Sequence, residues 1–201
     1  MKKKIALILA TMMTVAAIAP CAFAEAETEE GGLINTADTA IEFDYHDIDE
    51  DLYDGVWVAT GLGFDMYLPA DWELIDITDE MAEAGLVFGA GEEGGGANVM
   101  ITCAALPEEV VDTYDIDALA EELAATYTSA TYLDLNGIPA VGFDNDETKT
   151  SGFCILPGDG TLITGVIAPP SDDEYEEYGP YFANMFMSVS ATEVSETETE
   201  A

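Results

Sequence analysis

The chain has 201 residues, of which 42 are acidic and only four are basic, so its formal net charge at pH 7 is −38. A surface of this charge repels the phosphates of nucleic acids and of anionic lipids, which excludes nucleic-acid binding and attachment to an anionic membrane surface. The composition leaves three interpretations of the charge open: plain solubility, attraction of cations or of a basic partner, and adaptation to a salty habitat.

The N-terminus has the pattern of a secretory signal peptide. The basic stretch Met1–Lys4 is followed by an apolar run over residues 5–18 and by the Ala-x-Ala pattern of Ala22–Ala24, which together predict a signal peptide over residues 1–24. Cys21 raises the alternative of a lipoprotein, but Pro20 stands where lipoprotein processing needs a small residue. No later stretch reaches the ~20 apolar residues of a membrane span. We therefore predict a secreted or extracytoplasmic protein without a stable membrane anchor.

Two acidic segments flank the predicted domain. Residues 25–53 are predicted to be a largely disordered leader, because residues 25–32 are acidic and small and residues 38–54 are polar and rich in aspartate. Residues 192–201 alternate Thr or Ser with Glu and are predicted to be a disordered acidic tail. The folded domain is therefore assigned to residues 54–191, which is long enough for one hydrophobic core.

The leader holds the candidate metal site. Asp47, Asp49 and Asp51 occupy the first, third and fifth positions of an EF-hand-like loop, and Ca²⁺ prefers such hard oxygen ligands. The later positions depart from the motif, because Leu52 replaces the turn glycine and Val58 replaces the bidentate glutamate. This pattern leaves two alternatives, a weak Ca²⁺ site or a solvated acidic linker.

Two hairpins are predicted in the first half of the domain. Residues 56–60 and 64–68 form the first pair, and the alternation of apolar and polar side chains in its second arm is typical of a half-buried strand. Residues 86–89 and 97–104 form the second pair, joined by the polar, glycine-rich tip Glu92–Gly96.

Two further hairpins form the centre of the predicted sheet. Residues 132–143 turn at Asn136-Gly137, a sequence typical of a type I′ turn in which both central residues need a positive φ. Residues 152–167 turn at Pro157–Gly160, which supplies the dihedral angles of a tight turn. The apolar faces of this sheet must be covered by other elements of the chain.

Three helices are predicted to provide that cover. The first begins after Thr78 as N-cap and ends at Gly85, and the second begins at Asp115. The third carries an apolar stripe from Tyr175 to Val189 at steps of three and four residues. Pro180 lies inside this stripe and predicts either a kink or the start of a new helix.

Two cysteines, Cys103 and Cys154, remain after the predicted cleavage, and each lies in a predicted strand. In an exported chain such a pair is a candidate disulfide. The alternative is two buried thiols that act as small apolar side chains. No Cys-x-x-Cys pattern or Cys/His cluster occurs, which excludes a thiolate zinc site.

The order of these elements resembles the PsbP-like superfamily. The resemblance rests on Phe64–Trp72, where a strand is followed by Pro-x-x-Trp, on Leu135–Ala140, and on the amphipathic C-terminal helix after a strand pair. It spans residues 56–189. It implies an α+β fold in which an antiparallel sheet of about six strands carries helices on both faces, an α/β/α sandwich. The family includes exported bacterial proteins of uncharacterised role, and its fold is used mostly for docking or binding.

The reactive side chains do not form a catalytic pattern. His46, the sole histidine, lies among aspartates, and no nucleophile elbow, phosphate-binding loop or His-Glu-x-x-His motif occurs. We therefore predict a monomeric, non-enzymatic binding or accessory module of the bacterial cell envelope. Its partner would be an unidentified protein or envelope component, docked on a sheet face or on the hairpin tip Glu92–Gly96. Two alternatives remain open: a Ca²⁺-dependent binding module that uses residues 44–54, and a small hydrolase that uses two carboxylates.

Overall fold

The computed structural model describes residues 32–191. The predicted signal peptide over residues 1–24 and the predicted tail over residues 192–201 lie outside the described residues. Residues 32–191 contain twelve strands: β1 (Gly32–Leu33), β2 (Ile41–Phe43), β3 (Gly55–Ala59), β4 (Phe64–Pro69), β5 (Glu73–Leu74), β6 (Leu86–Gly91), β7 (Asn98–Ala105), β8 (Ser129–Leu135), β9 (Ile138–Asn145), β10 (Thr150–Ile155), β11 (Thr161–Ala168) and β12 (Ser190–Ala191). In the same part of the chain there are three α-helices: α1 (Asp79–Glu83), α2 (Ile116–Thr126) and α3 (Tyr175–Ser188).

Nine of the strands form one large sheet, in the order β1-β8-β9-β10-β11-β7-β6-β5, and β2 also pairs with β8. The strands β1 and β2 run parallel to β8, and the other neighbours in this sheet are antiparallel. The prediction of about six strands is therefore wrong in number. The six strands β6 to β11 form the predicted antiparallel centre, and β1, β2 and β5 extend its edges. Each added strand has two or three residues, too few to show an alternating pattern.

The remaining three strands form a separate sheet in the order β12-β4-β3. All six residues of β4 are buried, although the alternation in the sequence predicts a half-buried strand. Its apolar side chains Phe64, Met66 and Leu68 join the main core. Its other face is also covered, because the ring of Tyr67 packs on Tyr53 at 5.6 Å and the Tyr67 amide donates to Ser188 Oγ at 2.8 Å.

The turn at Asn136-Gly137 has the predicted geometry. Asn136 has φ 55° and Gly137 has φ 86°, and β8 pairs with β9 on either side of them. Both residues therefore lie in the left-handed region that a type I′ turn requires.

The helix ends agree with their capping residues. Thr78 Oγ1 accepts a hydrogen bond from the Met81 amide at 3.3 Å, and Asp115 Oδ1 accepts one from the Ala118 amide at 3.0 Å. Helix α3 continues through Pro180 without a break. The residue before it is Gly179, whose missing Cβ removes part of the clash that disfavours helical backbone before a proline.

Helices α2 and α3 pack on opposite faces of the large sheet. Leu119 and Leu123 of α2 meet Val141 and Cys154 on one face. Phe182 and Met185 of α3 meet the other face in a second cluster, which also contains Phe153, Ile155, Ile163 and Ile167. No helix within residues 32–191 is long and apolar enough to cross a membrane.

The part of the acidic leader that the structure describes is ordered, so the prediction of a largely disordered leader is wrong for residues 32–53. We call this segment the N-terminal arm. It contains β1, β2 and two short 3₁₀ helices at Ala37–Thr39 and Tyr45–Asp47. Most of its side chains are exposed, but Phe43 and Ala40 pack against the two core clusters and Tyr53 stacks on Tyr67.

Side-chain amides attach the N-terminal arm to the domain. Asn35 Oδ1 accepts from the Tyr132 amide at 2.7 Å while its Nδ2 donates to the Tyr132 carbonyl at 3.1 Å. Asn184 Oδ1 accepts from the Asp49 amide at 2.8 Å, and its Nδ2 donates to the Asp49 carbonyl at 3.3 Å. Each asparagine side chain thus bonds to both the amide and the carbonyl of one residue, as the backbone of a neighbouring strand would do.

Asn136 attaches the arm to both the hairpin turn and the end of α3. Its Oδ1 accepts from the Tyr45 amide at 2.7 Å. Its Nδ2 donates to the carbonyls of Met187 at 2.7 Å and Val189 at 2.9 Å. One amide in a tight turn therefore joins three separate segments of the chain.

Candidate binding groove

A groove of about 290 Å³ lies between α3 and the adjoining ends of β9 and β10. Its lining residues come from the N-terminal arm, from β9 and β10, and from α3. They are Phe43, Asp144, Ser151, Tyr175, Glu176, Gly179, Phe182, Ala183 and Phe186. We refer to this site as the α3 groove.

One face of α3 forms the long side of the groove. Glu176, Gly179, Ala183 and Phe186 follow one another at steps of three, four and three residues, which places them on the same helix face. The two middle residues are small and exposed, and a Cβ at Gly179 would meet no atom within 4 Å. The absence of large side chains here leaves the groove open along the helix.

Aromatic rings form the apolar walls. Phe182 is buried, and Phe43 and Phe186 are half-buried. Phe186 packs edge-on against the buried Phe153 with ring centroids 5.6 Å apart. The walls are therefore continuous with the core, and the core holds them in place.

The polar end of the groove is a hydrogen-bonded cluster around Asp144. Ser151 Oγ donates to Asp144 Oδ1 at 2.6 Å, and the Tyr175 hydroxyl donates to the same oxygen at 3.2 Å. Ser129 Oγ donates to Oδ2 at 3.0 Å. Ser129 and Ser151 are the direct cross-strand neighbours of Asp144 in β8 and β10. The strand register therefore fixes the position of this carboxylate.

Tyr175 presents different parts of its side chain to two charged groups. Its hydroxyl contacts Asp144, and Lys149 Nζ lies over its ring at 5.7 Å from the centroid. Lys149 is the one basic residue between positions 32 and 191, and it also pairs with Asp146 at 3.7 Å. Burial, with a smaller contribution from the Asp144 charge, raises the pKa of Tyr175 to about 12. The hydroxyl is therefore neutral at physiological pH and acts as a hydrogen-bond donor.

The hairpin tip Glu92–Gly96, which the sequence offers as a docking surface, is not part of the groove lining. It is tied to α3, because the Tyr178 hydroxyl donates to Glu92 Oε1 at 3.1 Å.

The structure does not assemble the predicted calcium ligands into a site. Asp47, Asp49 and Asp51 are exposed, and Asp49 Oδ1 accepts a hydrogen bond from the Asp51 amide at 3.0 Å. Within residues 32–191 no group of three or more Asp, Glu, His or Cys side chains could hold a metal ion. The geometry thus gives the calcium hypothesis no support.

Both cysteines are free thiols, so the disulfide alternative is wrong for this structure. The reason is the direction of the side chains. Cys103 packs against the cluster on the α3 face of the sheet, whereas Cys154 belongs to the cluster on the α2 face. Burial raises the pKa of the Cys154 thiol to about 12, which leaves it unreactive at neutral pH.

The described residues do not form a recognisable catalytic arrangement. His46 is exposed and its Nδ1 lies 2.7 Å from Asp44 Oδ1, and no hydrogen bond within residues 32–191 joins it to a serine, threonine or cysteine. The groove has two carboxylates, Asp144 and Glu176, but Glu176 is exposed. The arrangement can hold a ligand by apolar contact, hydrogen bonds and charge.

The sequence patterns do not predict the polar residues of the groove. Tyr175 falls in the apolar stripe of the last helix, and no motif gives a role to Asp144 or Ser151. A signal was nevertheless present. Asp144 and Ser151 lie on the face of β9 and β10 that also carries the core residues Ala140, Phe153 and Ile155, and a polar residue in such a position needs a partner.

Comparisons with known proteins bear on the fold. No family model matches the sequence, and no curated protein matches it. Among solved structures, the chain is similar to the solution structure of cyanobacterial PsbP (CyanoP) from Synechocystis sp. PCC 6803, with a TM-score of 0.50 and 14% sequence identity. The match covers 68% of this chain and 92% of that chain. The described domain therefore has a PsbP-like fold.

Proposed function

We propose that this protein is an exported, non-enzymatic binding or accessory module of the bacterial cell envelope, which docks a partner protein in the α3 groove. The observation that carries the proposal is the groove itself: an open channel with aromatic walls and a hydrogen-bonded polar end. Apolar and aromatic walls with a few fixed polar groups are the usual features of a binding site.

Three further observations support the proposal. The signal-peptide pattern over residues 1–24 supports export. The PsbP-like fold supports a docking role, since the resemblance to that superfamily implies use in docking or binding. The buried thiol of Cys154 has a raised pKa, and His46 contacts Asp44, so neither of these two residues supplies an activated nucleophile.

Site-directed photo-crosslinking tests this proposal. A photoreactive phenylalanine analogue replaces Ala183 in the groove, and the same analogue replaces Ala125 as the control. Both alanines are exposed positions of α-helices, but Ala125 does not line the groove. Full-length chains are expressed in the producing cells, irradiated, and analysed by mass spectrometry.

A discrete adduct with one envelope or secreted protein at position 183, absent at position 125, is the expected result. Equal adducts at both positions, or none at position 183, would refute docking in the groove. A melting temperature close to that of the wild type establishes that each variant is folded.

A further inference from the structure

The α3 groove has a specific combination of shape and charge, and this combination defines the chemistry of its occupant. The inference rests on the proposed function, since it takes the groove as the docking site and specifies what docks there. We propose that the occupant is a partner-protein segment that carries a large apolar side chain next to a lysine or arginine.

The apolar part of the segment is specified by the walls. Phe43, Phe182 and Phe186 surround a space of about 290 Å³, which has room for a large apolar side chain. Gly179 and Ala183 leave the groove open on the helix side. An open channel along one helix admits a peptide backbone that continues beyond the buried side chain.

The basic part of the segment is specified by the polar end. Asp144 and Glu176 are the two charged residues of the lining, and both are acidic. The three hydrogen bonds to Asp144 come from hydroxyl groups, which are neutral donors. These bonds fix the carboxylate in place, and none of the three donors carries a positive charge.

The protein itself contains one contact between an ammonium group and an aromatic ring of the groove. Lys149 Nζ lies over the ring of Tyr175, at a distance typical of cation–π contact, and is also paired with Asp146. The ring at the polar end of the groove therefore already contacts an ammonium group. A second cation that approached Asp144 and Glu176 would meet complementary charge, whereas an acidic segment would be repelled.

Three peptides that differ at one position test the inference. The sequences are Ac-Gly-Phe-Gly-X-Gly-NH₂, where X is lysine, norleucine or glutamate. Each is titrated into the ¹⁵N-labelled full chain at low and at high salt, and the amide shifts of Gly179, Ala183 and Phe186 report on the groove.

The lysine peptide is expected to shift these amides with at least about tenfold tighter binding than the norleucine peptide, and the glutamate peptide is expected not to bind. Equal binding of the lysine and norleucine peptides would overturn the inference, but it would not contradict the proposal that a partner docks in the α3 groove. If no peptide moves the three amides, the inference fails, and photo-crosslinking at position 183 decides the proposed function separately.

A charge-matched pair of variants separates the groove from the overall charge of the protein. Glu176→Gln and Glu177→Gln each remove one negative charge from the same turn of α3, but only Glu176 lines the groove. Glu176→Gln is expected to reduce the preference for lysine several-fold, while Glu177→Gln leaves it unchanged. An equal reduction in both variants would show general attraction to an acidic surface and would overturn the inference.

Discussion

The amide of Asn136 joins the β8–β9 turn to the N-terminal arm and to the end of α3, so its removal tests how the arm is held. In Asn136→Gly the turn keeps a residue that tolerates the φ of 55°, but three hydrogen bonds are lost. Each such bond contributes about 1 kcal/mol to stability. We therefore expect the free energy of unfolding to fall by about 3 kcal/mol.

The assay is thermal unfolding followed by circular dichroism. For a chain of this length, 1 kcal/mol corresponds to about 2–4 °C in the melting temperature, so the expected decrease is about 6–12 °C. Asn136→Ala loses the same bonds and adds the cost of a left-handed alanine, about 1–2 kcal/mol, so it should be less stable still. A shift below about 2 °C for the glycine variant would refute the inferred role of the Asn136 amide in joining the turn to the arm and to the end of α3.

Three other predictions follow from the sites described above. Cys103 should react with a thiol reagent in the native protein, whereas Cys154 should react only after unfolding. Labelling of both cysteines in the unfolded chain only after a reductant is added would contradict the absence of a disulfide. Because the pKa of Tyr175 is raised to about 12, only the unfolded chain ionises there just above pH 10, so stability should fall between about pH 10 and 12. Tyr175→Phe should make that fall shallower, and an unchanged slope would show that this hydroxyl is not buried in solution. The melting temperature is measured in Ca²⁺ and in ionic-strength-matched Mg²⁺ for the wild type and for the double variant Asp47→Asn with Asp49→Asn. The difference between the two salts should be the same in both proteins. A stabilisation by Ca²⁺ that is present in the wild type and lost in the variant would restore the calcium hypothesis.

Local signals in the sequence were sufficient to predict the central hairpin turn, the helix starts and the packing face of α3. Asn136-Gly137 identifies its turn because few other residues accept two successive positive φ values. Thr78 and Asp115 identify helix starts because their side chains satisfy free amides. The apolar stripe of α3 likewise identifies the face that packs on the sheet.

The order of the N-terminal arm could not be predicted because the groups that hold it are far away in the sequence. Asn35 bonds to Tyr132, and Asn184 bonds to Asp49. Read locally, the arm is a segment rich in aspartate, without a long run of alternating apolar residues. The strands β1 and β2 form because β8 offers them an edge, and such an edge is a property of the folded sheet.

The groove could be predicted only in part. The stripe of α3 contains Tyr175 and Phe182, but periodicity does not distinguish a residue that fills the core from one that lines a groove. The convergence of Ser129, Asp144 and Ser151 depends on the register of three strands. Phe43 reaches the groove only because the arm is ordered.

Equilibrium binding of the crosslinked partner to two tryptophan variants tests docking in the α3 groove most directly. Ala183→Trp places a large ring in the groove, whereas Ala125→Trp places the same ring on an exposed position of α2. If the groove is the docking site, the first variant should bind at least about tenfold more weakly than the wild type, and the second should bind as the wild type does. Unchanged binding by a folded Ala183→Trp variant would contradict the proposal.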